Sequence, residues 1–424
     1  MPKPPFSTPP ALSRRHFLTA AAAGALALGA TGCSGDGRTQ VRFHSSKPES
    51  IPYFRELVAR YNAEQSRVTV VLDTATNLQA AFLRGNPPDI GCLNYNMEMA
   101  RFMERGALSD LSDMPEAGRI RPDVQALADQ YATFPGRTSV LPFSVAAESV
   151  IYNTALFAEH GVDVPTTWTE FVAACRTFQD AGVAPVYGTF KDTWTIAQGM
   201  FDYALGGLID VPSFFAELAE LGADVGPDSP RSFQRDFLPP MERMRELVPF
   251  HQPDAASRAY GDGNLAFARG EAAMYLQGPW AFGELAKTDP DLRLGTFPLP
   301  MTDDPADRKV RVNLDLALWI PEGSRNQEAA RDFVAFLMDP AQMDAFNAQF
   351  LGFGTTTDAA PVTDERILGM QEFYDAGQFY LGPSQLVPLA IPLANYVQSM
   401  VLGADLRSTL ASVDADWARL AFRA

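Results

Sequence analysis

The sequence predicts an α/β protein whose first sheet is parallel and covered by helices. Three observations carry this. Strand-like and helix-like segments alternate as β-α-β-α-β over roughly residues 41–105. Among them, VTVVLD is a continuous apolar run between polar residues, the pattern of a strand buried on both faces. A chain of 424 residues that is 46% hydrophobic can also fill more than one core, and two or three domains are expected.

In chain order, VRFHS alternates and is β-prone. Residues 51–64 then place Phe54, Leu57, Val58 and Tyr61 at helical spacing. VTVVLD follows as a second strand, LQAAFLRG as a short helix, PDIGCL as a third strand and residues 97–105 as a further helix. LPFSVAAESVIYN (141–153) reads as extended chain. From 155 to 280 helical patterns dominate, interrupted by loops containing Trp, Gly and Pro. EAAMYLQGPW reads as a strand ending in a Gly-Pro turn, with a helix over 281–287. NLDLALWIP (313–321) reads as a strand before a long helix over 326–339, whose start is marked by Ser324. The tail from 364 to 424 is mostly helical in pattern.

The amino terminus predicts export. Arg14 and Arg15 form a twin-arginine pair before an Ala- and Gly-rich run that ends Ala30-Thr31-Gly32-Cys33. That run is too short and too weakly apolar to remain as a spanning helix, which needs about 20 strongly apolar residues. The small residues ahead of Cys33 resemble a bacterial lipobox. Residues 1–32 are therefore expected to be a twin-arginine lipoprotein signal peptide, with Cys33 lipidated. Residues 33–39 are expected to be a polar linker, and the body to lie outside the cytoplasm, held to the cell membrane by the lipid. The net charge is −17, and residues 1–32 carry three basic residues and no acid, so the body is more acidic still. Such a body repels phosphate backbones, and no nucleic-acid partner is expected. Only five of the 34 basic residues are lysines, which draws attention to Lys47 and Lys191 in loops. Cys92 and Cys175 read as small buried apolar residues with free thiols. No metal-ligand spacing and no cofactor motif is present.

Four stretches taken in order resemble the extracellular solute-binding proteins of ATP-binding-cassette importers, in the carbohydrate-binding family that includes maltose-binding protein. PDIGCLNYN resembles the third strand and the ligand-facing loop after it, and LPFSVAAESVIYN the first crossing between lobes. GEAAMYLQGPWAF resembles the second crossing. IPEGSRNQEAARDFVAFLMDP resembles the strand-to-helix passage that leads to the third. The resemblance spans about residues 40–420 and implies a two-lobed periplasmic-binding-protein-like α/β fold with three hinge crossings and an interlobe ligand cleft. It implies lobe one at 39–146 and 281–336, and lobe two at 147–280 and 337–424. The implied partners are a carbohydrate and a membrane permease; a monomer with no cofactor and no enzymatic activity is expected.

A sugar presents hydroxyls at its edges and apolar C–H faces, so its site combines planar polar side chains with stacked aromatic rings. By resemblance, Trp280 after Gly278-Pro279 stacks on sugar, with Gln277 and Gly278 on the same strand end. Ser45, Ser46 and Lys47 occupy the ligand-bonding loop after the first strand, and Asn94, Tyr95 and Asn96 the loop after the third. Trp194, with Lys191 and Asp192 beside it, falls where the family places aromatic platforms. Asn313 and Asp315 open the NLDLALWIP strand, where a buried carboxylate needs partners. Phe353 and Tyr396 are further aromatic candidates. Ala146 and Leu93 stand where the maltose binder has an acid and a tryptophan, pointing to a different saccharide. A secreted glycoside-acting enzyme, or a binding protein for a non-sugar solute such as a polyamine, peptide or metal chelate, are the competing expectations. His44, His160 and His251 are too dispersed to build a metal site or triad.

Overall fold

The computed structural model describes residues 37–421, so the signal peptide and Cys33 lie outside the described residues. The sheet opens with β1 (Thr39–His44), β2 (Val68–Asp73) and β3 (Ile90–Leu93), all parallel, with Thr39 opposite Val68 and Phe43 opposite Ile90. The helix Ile51–Glu64 buries Phe54, Leu57, Val58 and Tyr61, the four residues its spacing selects. Two long strands then run antiparallel through the middle: β4 (Leu141–Asn153) and, much later, β8 (Val310–Trp319), paired from Leu141↔Leu318 to Glu148↔Arg311. Irregular register near Ser144 bends β4 within this ladder.

Each long strand belongs to both lobes. The carboxyl end of β8 pairs with β3, and its amino end takes β9 (Phe379–Leu381). The carboxyl half of β4 carries β6 (Ala272–Gln277) and β7 (Leu294–Phe297), and β5 (Ala184–Tyr187) lies parallel to β6. The order is β2-β1-β3-β8-β4-β6-β5, with β7 on β4 and β9 on β8. At the β3–β8 contact Gly91 is required, because a Cβ there would sit 2.0 Å from the Trp319 indole.

One core packs Phe43, Phe54 and Phe333 edge to face, at centroid distances of 5.2–5.3 Å, with Leu318, Val334 and Phe346 around them. A larger core covers Val150, Ile151, Met274 and Tyr275 and continues past the crossing strands to Tyr95 and Met99. Cys92 and Cys175 are separate buried thiols, as expected.

The path between lobes differs from the expectation in three respects. GEAAMYLQGPWAF is not a crossing. After β6, Ala281, Phe282 and Leu285 pack into the core of Val150 and Tyr275, and β7 returns to pair with β4. The second crossing is β8 itself, which begins at Val310, so Asn313 and Asp315 lie inside the strand and not at its start. Correspondingly, residues 281–309 go with lobe two. Leu337, Met343 and Phe346, expected in lobe two, pack instead with Phe43 and Phe54 of lobe one. Amphipathic pattern marks a buried helix face but not which sheet it covers. After the helix Pro340–Phe350 the chain turns at Leu351, which adopts a left-handed conformation (φ 56°), and Phe353 bridges to Val145 as the third passage.

Candidate functional site: a cleft between the lobes

The cleft lies over the crossing strands and measures about 970 Å³. It is lined from one side by Lys47, Glu49, Asn94, Tyr95 and Asn96, and from the other by Tyr260, Trp280, Phe282 and Glu284. Ala146 of β4 and Asn313 and Asp315 of β8 form its floor. Loops at the carboxyl ends of β1 and β3 supply the first group, the position at which open α/β sheets bind ligands.

The lobe-one wall is bonded to itself. Lys47 Nζ donates to Asp315 Oδ1 at 2.5 Å and stands 3.5 Å from Glu49. Asn94 Nδ2 donates to the Asp315 carbonyl at 2.6 Å. Tyr95 is buried edge to face against Tyr131 at 5.3 Å, and burial pushes its phenol well above the usual range. Asn96 has a second duty: its Oδ1 accepts the backbone N–H groups of Glu98 and Met99 and caps the helix Met97–Glu104, so its side-chain amide nitrogen is the group left for the cleft.

The opposite wall is aromatic. Trp280 begins the helix Trp280–Thr288, and its indole N–H donates to Gln277 Oε1 at 3.1 Å. Its ring stands 6.2 Å from Trp194, which lies 5.1 Å from Tyr260. Burial pushes the Tyr260 phenol up to about 12. Gly278 lets Trp280 fold back: a Cβ there would come within 2.4 Å of the indole.

Of the residues singled out by sequence, Lys47, Asn94, Tyr95, Asn96, Trp280, Asn313 and Asp315 line the cleft. Five do not. Gln277 is buried behind Trp280, and Gly278 gives the indole room. Trp194 packs between Trp280 and Tyr260 with its other surface exposed, and Asp192 Oδ2 accepts the Tyr260 backbone N–H at 2.7 Å. These four support the aromatic wall from the rear. Ser46 lines a smaller hollow of about 400 Å³ beside the cleft, shared with Lys47, Glu49 and Asn94. Phe353 is buried against Tyr374, and the Tyr396 hydroxyl donates to Asp416; neither lines the cleft. Sequence reasoning missed Tyr260, Gln198, Arg366 and Gln385. Gln198 is one helical turn from Trp194, a usable signal; the others carry none. Among the described residues no group of three or more His, Cys, Asp or Glu side chains could hold a metal ion.

The family model for bacterial extracellular solute-binding proteins matches residues 45–344. The chain belongs to that family. Its members are solute-binding proteins, not enzymes, which removes the glycoside-acting enzyme from consideration. This solute-binding protein is 23% identical over 320 residues to the multiple sugar-binding protein of Streptococcus mutans, covering 74% of each chain. It is also 23% identical over 299 residues to the melibiose/raffinose/stachyose-binding protein MelE of Bacillus subtilis, covering 68% of this chain and 67% of that one. Two further relatives are matched over 58% and 60% of their length. Apo RafE from Streptococcus pneumoniae shares the fold at a TM-score of 0.78 and 20% identity, over 92% of this chain and 99% of that one. RafE in complex with raffinose superposes at a TM-score of 0.72, with 20% identity, over 90% and 99% of the two chains.

Proposed function

We propose that this solute-binding protein is the saccharide-capturing component of an ATP-binding-cassette importer. It would be held outside the cytoplasm by lipidated Cys33 and act as a monomer that delivers its ligand to a membrane permease. The observation that carries the reading is the division of the cleft into a carboxamide and charged wall facing an aromatic wall. Hydroxyl edges and C–H faces of one sugar need those two surfaces at once. The printed specificities of the multiple sugar-binding protein, MelE and the RafE–raffinose complex support it. Ala146 and Leu93 keep maltose itself an unfavoured choice.

Capture follows from the two walls. Ligand stabilises the closed form only by its differential affinity for closed over open, so contacts made to both lobes drive closure and contacts to one lobe do not. Cleavage chemistry is not required of the cleft residues; import energy would come from the permease's ATPase.

The test is a thermal-shift screen of residues 34–424 against raffinose, stachyose, maltotriose, diacetylchitobiose and monosaccharides, with polyamines and short peptides alongside. A micromolar ligand at millimolar concentration adds about 4 kcal/mol to the folded state. A raised midpoint with one saccharide group is expected; shifts confined to cations or peptides overturn the sugar assignment. For the anchor, Cys33→Ser is expected to release the protein from membranes, and continued membrane retention of that variant counts against lipidation.

A further inference from the structure

Arg311, Asn313 and Asp315 stand two residues apart on β8, so their side chains leave the same face of the strand. They lie at two depths. Asn313 and Asp315 both line the cleft floor, Asp315 bonded to Lys47, and Arg311 lies beneath them, with none of its side chain exposed. Arg311 faces two carboxylates. Its Nη1 is paired with Glu148 Oε1, and its Nε and Nη2 lie 3.1 and 3.0 Å from Asp202 Oδ2. Both acids are as deeply buried as the guanidinium.

Each acid leads back to the cleft. Glu148 Oε1 accepts from Asn313 Nδ2 at 2.6 Å. A carboxylate paired with a guanidinium only accepts, so the amide nitrogen of Asn313 must face it and the carbonyl oxygen must turn the other way. That oxygen is buried and has no donor among the described residues, nor has Glu148 Oε2. Asp202 accepts the Ser384 backbone N–H at 2.8 Å and its hydroxyl at 2.7 Å, which fixes the turn whose next residue, Gln385, lines the cleft. Gly382 seals this turn over the pair, since a Cβ there would meet Arg311 Nε at 2.4 Å. A buried acceptor without a donor calls for an explanation, and Asn313 is a lining residue of the cleft, where a ligand hydroxyl would supply the missing donor.

We infer that Arg311 is a positioning residue for recognition: acting through Glu148, it locks Asn313 so that Asn313 offers an acceptor, and never a donor, to a ligand hydroxyl at the cleft floor. Through Asp202 and Ser384 the same guanidinium sets the turn that carries Gln385. The ligand half of this inference rests on the saccharide reading above; the orientation of Asn313 does not.

The experiment uses the ¹⁵N-labelled full chain, with the Asn313 side-chain amide identified by its loss in Asn313→Ala. In the parent protein that amide is expected to exchange with solvent at least tenfold more slowly than those of exposed Asn77 and Asn86. Glu148→Gln and Arg311→Lys, which keep side-chain shape or charge, are expected to lose most of that protection while the far-UV circular dichroism is unchanged. Exchange in the parent as fast as at Asn77 overturns the inference, and so does full protection in both variants. Raffinose, with maltotriose as the alternate probe, supplies the second arm: Asn313→Ala and Glu148→Gln are each expected to weaken binding tenfold or more, and unchanged affinity in both overturns the recognition role. If no saccharide in the screen binds the parent, the saccharide reading and the ligand half built on it fall together, and the exchange data alone decide the positioning of Asn313.

Discussion

The two walls of the cleft are made on different principles. The lobe-one wall is a set of polar side chains already bonded to one another: Lys47 to Asp315, Asn94 to Asp315, Asn96 to its own helix. The lobe-two wall presents the rings of Trp280, Phe282 and Tyr260, backed by Trp194 and braced by Gln277 and by the space left at Gly278. Prebonded polar groups present fixed directions and lose little freedom on binding, so they select which hydroxyl pattern fits. Rings give nondirectional contact area and therefore affinity with tolerance. On the proposed function, the contrast predicts a division of labour: discrimination on one lobe, adhesion on the other, with closure requiring both.

The largest expected effect separates the lobes by acid sensitivity. Each lobe buries a histidine close to the site. His44, at the end of β1, is lowered by burial, but Asp73 opposes the shift. His251, which shares a small void with Gln277 behind the aromatic wall, is lowered to about 4 by burial, with only backbone carbonyls to oppose it. An unfolded histidine takes its proton near pH 6.5, whereas folded His251 refuses it until about 4. Between those values the unfolded state binds more protons, so stability is complete above about pH 6.5 and falls as the pH drops toward 4. The loss approaches about 3 kcal/mol for one such group. Urea unfolding at pH 7, 5.5 and 4.5 is expected to show His251→Asn with a flatter profile than the parent, and His44→Asn with a smaller change. Identical slopes for the parent and His251→Asn would refute this.

Next in size is the adhesive wall. Trp280→Ala removes the ring that faces the cleft, and affinity for whichever saccharide the screen finds is expected to fall tenfold or more, or about 1.4 kcal/mol and upward. Trp194→Ala removes the ring behind it and is expected to cost less, about threefold or about 0.7 kcal/mol, at the lower end of the about 0.5–1.5 kcal/mol that an aromatic pair contributes. Calorimetric titration of both variants checks the order. Equal losses would mean that Trp194 reaches the ligand in the closed form, and an unchanged Trp280→Ala would remove the wall's proposed role.

What the sequence made legible follows the same division. Periodicity located β1, β2, β3 and their helices because burial of one face is written locally. The loop residues Lys47, Asn94 and Tyr95 were legible through the family resemblance, which sets ligand loops after the first and third strands, the carboxyl ends where open α/β sheets bind ligands. Trp194 and Asp192 were right in neighbourhood, but the structure sets them behind Trp280 and Tyr260, an arrangement sequence cannot give. The crossings were misread at GEAAMYLQGPWAF because whether a strand continues its own sheet or leaves it is decided by pairing with β4, more than a hundred residues away. Arg311 was passed over for the same reason. Its partners Glu148 and Asp202 are brought to it by strand register and helix packing, and no local pattern records either.

The smallest effect expected on folding tests the selective wall. Lys47 and Asp315 are 16% and 13% exposed, so their pair is partly screened and its contribution to folding is expected to be about 1 kcal/mol or less. Its contribution to recognition is directional. Lys47 holds the Asp315 carboxylate, whose backbone carbonyl is held by Asn94, and losing the cation leaves an acid at the cleft floor with weaker restraint. Lys47→Met is expected to weaken saccharide binding about fivefold and to blunt discrimination between saccharides that differ at one hydroxyl. It should leave the affinity lost in Trp280→Ala additive with its own, because the two residues belong to opposite lobes. Asp315→Asn paired with Lys47→Met should be less than additive, because the two side chains act as one unit. Titration of the double variants decides. Additive losses for Lys47 with Asp315 would dissolve the prebonded wall into independent contacts, and strong coupling of Lys47 to Trp280 would mean that one ligand group spans both lobes, so that selection and adhesion are not separate.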